Sequence, residues 1–427
     1  MGLAVRFKFA AQGMYPASSD MTGNVAQIYL NIAVAKTHAM LFRLLPWEYA
    51  IRNLFRRPIR TALTLFGLTI VVCLVFAVVG FIRGLEQSLI VSGDSESALI
   101  FSLGMGENLE YSSIPMRTTD LVPASVAGIR KRSDQAYVSP ELYLGSEITL
   151  PESKHPAMGI LRGVTPTAAL VRRAVEIENG AWPEAGEILI GGLVAAKLGV
   201  ATENLQVGSS LSFEGRAWKI AGIFSAGGSA FESEIWCRLD ELQQSLKRQD
   251  LSLVALTMNT PDDFVELSLF CRQRLDLELQ TLRETEYYAT LQRDYGPIRK
   301  LAWLIVVLVA SAGVFGGLNT MYGAVVGRIP ELAMLQTIGF VRRSIAVSLI
   351  QEAVLLSATA SLLATGLSLA LLDGLSVRFT MGAFALRIDN ECVMIGCGVG
   401  LLLGFVGALP PAIRALRMPI VTGLKTV

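Results

Sequence analysis

Histidine is nearly missing from this chain: its 427 residues include two, His38 and His155. A two-histidine zinc helix of the H-E-x-x-H kind therefore has no material to form from. Charge is sparse as well. Asp, Glu, Lys and Arg make up 17% of the residues, against about 25% in an ordinary soluble globule, and a formal net charge of +1 gives no basic footprint for nucleic acid. There is no G-x-S-x-G elbow and no phosphate-cradling G-x-x-x-x-G-K-[ST]. The closing GLKT carries Lys-Thr without the glycine geometry, so nucleotide hydrolysis by this chain alone is not expected. The five cysteines make no C-x-x-C pair, and Cys392 and Cys397 stand too far apart for one. Cys73, Cys392 and Cys397 fall in apolar runs, where a thiol packs as a small hydrophobe. Cys237 and Cys271 either bridge or remain two buried thiols. Acidic side chains are numerous between residues 83 and 297, but no spacing pairs two of them for acid–base work, and a solvated surface is the expectation. No catalytic residue, metal ligand or cofactor of the chain's own is expected.

Apolar length is what the chain has instead. Hydrophobic residues reach 52% and the mean hydropathy is +0.49, which reads as a membrane protein. Charge-free runs extend over Thr61–Ile82, Leu301–Gly327 and Cys392–Ile413, and a fourth, Ile345–Leu372, is interrupted only by Glu352. The fourth would be about 42 Å long as a helix, more than a bilayer's hydrocarbon of about 30 Å, so it must tilt or project. Arg52, Arg56, Arg57 and Arg60 precede the first run; Arg328, Arg342 and Arg343 lie between the second and third; Arg414, Arg417 and Lys425 follow the last. By the positive-inside rule these segments face the cytoplasm. The fold class expected is an α-helical integral membrane protein with four transmembrane helices and a large mixed α/β extracytoplasmic domain between spans one and two. In order, the divisions are an extension at 1–45, a cytoplasmic interfacial helix at 46–60, span one at 61–82 and an outer domain with stalk helices at 83–297. Span two at 301–327, a cytoplasmic connector at 328–344, span three at 345–372, a short outer loop at 373–391, span four at 392–413 and a tail at 414–427 complete the chain. Residues 1–39 read as a loose cytoplasmic tail or as the product of an upstream start codon.

Local patterns refine this plan. WEYAIRNLFRRP, residues 47–58, sets Trp47, Ile51 and Leu54 at helical spacing with arginines on other faces, as in a helix lying on a lipid surface. Within the outer domain, AMGILRGV, GEILIGG and LSLVALTM read as strands, Glu214-Gly215 as a hairpin turn, and DDFVELSLFCRQRL as an Asp-started helix. GLEQSLIV and ETEYYATLQRDY at the domain's borders continue the helical period as stalks. In span four Gly396, Gly400, Gly404 and Ala408 recur every fourth residue and form a small-residue seam, which serves either intrachain packing or a subunit interface. Gly313 and Gly317 are a weaker version in span two. Glu352, an ionisable group about two turns from the inner end of its span, is a functional candidate by default, although an arginine or interfacial water within reach favours a structural role. RIPELAMLQTIGFVRRS, residues 328–344, places Leu332, Leu335 and Ile338 at three-residue spacing and ends a short amphipathic helix near Gly339.

The stretch from Glu331, ELAMLQTIGFVRRSIAVSLIQEAVLL, resembles the signature of the FtsX/MacB-like permeases of ABC transporters: a cytosolic coupling helix, a basic pair and a Gln-Glu-Ala opening of the next span. RNLFRRPIRTALTLFG at 52–67, the two outer-domain stretches GEILIGGLVAAKLG and VGSSLSFEGRAWKIAGIF, and the tail PAIRALRMPIVTGLK at 411–425 are similar to other parts of that family. A run of charges before the coupling helix, usual in the family, is replaced by Ile329 and Pro330. The resemblance implies that Glu331, Leu332, Ala333, Leu335 and Gly339 contact a separate ABC ATPase subunit, which alone binds ATP. It implies that two such permeases, identical or related, work together in the bacterial cytoplasmic (inner) membrane among its lipids, for export or for lipid or lipoprotein extraction. A periplasmic adaptor is a further partner that the sequence leaves open. The alternatives are a transmembrane regulator of a cell-wall hydrolase and, in another class, a membrane-tethered enzyme or sensor; the missing catalytic motifs count against the enzyme.

Overall fold

The computed structural model describes residues 47–106, 108–151, 156–379 and 382–417. The expectations for the extension at 1–45 and for the end of the tail lie outside the described residues. Helix α1 (Trp47–Arg56) stops at Arg57, and α2 (Pro58–Ser92) starts on a proline, whose missing N–H is no loss in a first turn. Trp47, Ile51 and Phe55 make the exposed apolar stripe of α1, while Leu54 is half-buried and Asn53 buried. Further along come α3 (Glu284–Asp294), α4 (Gly296–Val326), α5 (Ile329–Thr337), α6 (Arg342–Leu371) and α7 (Asn390–Arg417). Four of them, α2, α4, α6 and α7, are long and apolar enough to cross a membrane. GLEQSLIV lies inside α2, and ETEYYATLQRDY coincides with α3, which leads through Tyr295 into α4.

The described residues form two compact units, one from 47–68, 312–360 and 400–417, the other from 69–311 and 361–399. Each of the four long helices belongs in part to both. The second unit holds a ten-stranded mixed sheet. Its strands are β1 (Ser97–Ser102), β2 (Val138–Ile148), β3 (Ala157–Val164), β4 (Glu176–Gly180), β5 (Glu187–Gly191), β6 (Ser210–Phe213), β7 (Arg216–Ser225), β8 (Glu234–Arg238), β9 (Leu253–Thr257) and β10 (Leu279–Arg283). The spatial order is β10-β1-β9-β2-β3-β8-β5-β7-β4, with β6 paired to β7. All pairings are antiparallel except β3 with β8 and β5 with β7. Strand alternation divides the core between the faces. Ala98, Ile100, Val254 and Leu256 join one cluster with the helices Leu239–Leu246 and Phe264–Gln273, while Leu99, Phe101, Leu253 and Ala255 join another with Leu85, Leu89, Tyr287 and Tyr288 from α2 and α3. Glu214 and Gly215 both take positive φ, 49° and 71°, so the β6–β7 turn is the two-residue kind that matches strand twist.

One expectation needs revising. The outer link at 373–391 is not a plain loop: Ser376–Phe379 (β11) and Gly382–Ala385 (β12) form a hairpin. Phe379 and Phe384 pack with Phe81, so aromatic burial supplies the stability that a bare link would lack. The hairpin approaches α2 where a Cβ on Gly84 would meet the Ala385 carbonyl. Of the two readings left open for Cys237 and Cys271, the structure has the second: both are free buried thiols in the first core cluster. Burial pushes the Cys237 thiol up and that of Cys271 to about 12, which keeps both protonated and unreactive.

Candidate functional site

The connector is built by two end signals. Pro330 supplies the first-turn residue, and Gly339 closes the helix at φ +106°, where Gly339 N–H donates to Gln336 and Phe340 N–H to Leu335. This is the paired reverse bonding of a glycine C-terminus, with Leu335 and Phe340 joining in its apolar contact. Leu332 (4% exposed) and Ala333 (5%) turn inward, and Leu332 packs with Val325, Ile345, Leu349, Ala412 and Ala415. The outward face carries Glu331, Met334 (59%) and Ile338 (66%), three residues that recur at the helical interval. Of the five residues that the resemblance nominated for partner contact, Leu332 and Ala333 therefore seat the connector, Leu335 is half-buried, and Glu331 and Gly339 are exposed. Met334 and Ile338 were missed, although the three- and four-residue steps from Glu331 point to them.

Two ionic contacts tie the connector down. The Arg328 guanidinium donates twice to Glu352, at 2.8 Å each, and both residues are buried. Glu352 thus belongs to a structural ion pair. Arg56 reaches Glu331 at 3.7 Å on the surface, a contact worth little by itself. Arg60 donates to the Thr320 carbonyl at 2.7 Å and Arg57 to that of Gly327 at 3.3 Å, so the arginines before the first apolar helix also hold the end of α4.

The small-residue seam of α7 faces its own chain. A Cβ on Gly396 would lie 2.5 Å from the Phe76 ring, and one on Gly404 would run into Ser357. Gly400 is buried, as is Ala408, which packs with Met321 and Ala353. Gly407, not singled out from sequence, stands back to back with Gly317.

In the sheet unit a buried ion network joins five side chains. Arg162 on β3 donates two bonds of 2.6 Å to Glu234 on β8 and a third to Glu141 on β2. Arg172 donates to Glu141 at 3.0 and 3.1 Å and to Glu284, the first residue of α3. Glu284 also accepts from the backbone N–H of Asp94, just beyond α2. The segments that leave α2 and enter α3 thus converge on one cluster in the middle of the sheet. Burial works against ionisation of Glu141, but Arg172 and Arg162 outweigh it and hold the group below the ordinary carboxylate range; burial prevails at Glu284 and pushes it up.

Among the described residues no group of His, Cys, Asp and Glu could hold a metal ion. A family model described as the MacB-like periplasmic core domain matches residues 61–268, and one described as the FtsX-like permease C-terminal matches residues 303–420. The chain belongs to the FtsX/MacB-like permeases. As such it is a multi-pass membrane protein of the ABC type with an extracellular domain, and permeases of this family work with ABC ATPase partners. Among curated proteins none matches the sequence of this permease. Solved structures similar to it include the extracellular domain of the noncanonic ABC-type transporter YknZ from Gram-positive bacteria, 13% identical over 44% of this chain and 99% of that one, with a TM-score of 0.34. The periplasmic region of MacB from Actinobacillus actinomycetemcomitans is 8% identical over 48% and 95%, with a TM-score of 0.37. A permease-protein domain from Porphyromonas gingivalis is 16% identical over 44% and 88%, with a TM-score of 0.31.

Proposed function

We propose that this permease converts ATP hydrolysis in a separate ATPase subunit into movement of its extracytoplasmic domain, for export or for lipid or lipoprotein extraction, and does no bond chemistry itself. The observation that carries the reading is the two-sided connector. Leu332 and Ala333 lock α5 into its own unit, while Glu331, Met334 and Ile338 present a small apolar surface with one carboxylate. A short helix anchored on one side and apolar on the other is suited to receive a push from a second protein. The long helices, each shared by the two units, would carry that push outward, and the ion network would take it up where α2 and α3 meet the sheet. Two permeases, one beside each of two ATPases, complete the scheme in a bacterial cytoplasmic membrane. Purification with the ATPase subunit, followed by ATPase and transport assays in proteoliposomes, tests this directly. Met334→Asp and Ile338→Asp should keep expression and thermal stability while losing at least about tenfold in transport-coupled hydrolysis, since one buried charge at an interface removes more than about 1.4 kcal/mol. Unchanged coupling in both variants would overturn the reading.

A further inference from the structure

A cavity of about 110 Å³ lies in the sheet unit, bounded by α2, α3, the β11–β12 hairpin and the ion network. An apolar protein cavity of roughly 150 Å³ takes a benzene ring, so the space suits one ring or a compact head group. Its wall is aromatic: Tyr143, Tyr287, Tyr288, Tyr295, Phe379 and Phe384 line it, together with leucines of α2 and α3. Tyr287 (7% exposed) and Tyr288 (8%) are more than nine-tenths buried.

The charges beside the cavity select the ligand's sign. All three nitrogens of Arg162 and of Arg172 already donate to carboxylates, which leaves little to attract an anion. Carboxylates are in surplus: Glu110, Glu234 and Glu284 line the space, with Glu141 behind them, against two guanidiniums. Lys197 and Arg378 are outside the lining. Aromatic faces add to the preference, because their quadrupoles attract cations in a desolvated site. We propose that this cavity binds an organic ammonium ion carried on a small apolar body, with the ring or alkyl part against the tyrosines and phenylalanines and the ammonium toward the carboxylates.

The same chemistry is available from a free amine or from the ethanolamine head of a lipid, and one experiment separates them. The full chain, without ATPase, is placed in phosphatidylglycerol nanodiscs and titrated calorimetrically with phenethylammonium, with phenethyl alcohol as the neutral analogue and with hydrocinnamate as the anion. Saturable binding of the ammonium at least about tenfold tighter than of the alcohol, and none of hydrocinnamate, is expected. Tyr295→Leu, at a half-buried ring, and Glu110→Gln, at a half-exposed carboxylate, should each weaken binding by about three- to thirtyfold with the apparent melting temperature retained. Repetition in nanodiscs containing phosphatidylethanolamine identifies the source: loss of phenethylammonium binding there means the lipid head group already occupies the site, and undiminished binding means a free cation. The proposal fails if no ligand binds saturably, if alcohol or anion binds as well as the ammonium, or if both variants bind as the wild type does. Because no ATPase is present, such a failure leaves the coupling reading untouched.

Discussion

Replacing Glu352 with Gln leaves the Arg328 guanidinium buried beside a neutral amide, and loss of one partner from a buried ion pair costs on the order of 3–5 kcal/mol. Glu352→Gln and Arg328→Met should each lower the apparent melting temperature sharply, whereas the double change Arg328→Met with Glu352→Leu recovers most of it; a thermal unfolding series in one lipid mixture reads the difference. Asp250 offers a pH test. Two hydrogen bonds from Arg248 hold its carboxyl at about 2, below its unfolded value of about 3.9. The pair therefore adds stability above about pH 4, which is lost as pH falls toward about 2. The stability gap between wild type and Asp250→Asn should close over that window, and a gap that persists there would contradict the assignment. At this scale the sequence is a partial guide. Glu352 is conspicuous because it alone breaks an apolar run, but its partner is 24 residues away. The ion-paired partners of the sheet network are separated by 21 to 112 residues, so only folding brings them together.

Elements are more legible than residues, because a repeat of two or of 3.6 is a local property. The strands at 157–164 and 187–191 and the Glu214-Gly215 turn stand where alternation and turn chemistry place them. The β11–β12 hairpin escapes notice since its strands are four residues each and its burial depends on Phe81, a distant residue of α2. Glycine use yields two further predictions. Gly339 has open space around its missing Cβ but a φ of +106°, so Gly339→Val should destabilise the end of α5 by about 1–3 kcal/mol through backbone strain alone. Limited proteolysis near Val341 should report it. Gly404 is the opposite case, with ordinary helical backbone and Ser357 in the way. Overpacking costs typically about 1–3 kcal/mol, so Gly404→Leu should lower the apparent melting temperature, and Ser357→Gly in the same chain should restore part of it.

For the whole molecule, hydropathy and arginine placement make four spans and one large outer domain readable, since a bilayer imposes length and charge rules on any chain that crosses it. The face that a helix shows to a partner is harder to read. Leu332 and Ala333 look as apolar as Met334 and Ile338 in sequence, and only the packing of α5 against α6 and α7 tells seat from surface. The decisive measurement is site-specific photocrosslinking in cells that express the ATPase subunit, with a photoreactive amino acid placed in turn at Leu332, Met334 and Ile338. Adducts with the ATPase from Met334 and Ile338, and none from Leu332, are the expected result. Adducts from Leu332 alone, or from no position while the two proteins remain assembled, would show that the connector does not receive the motor through this face.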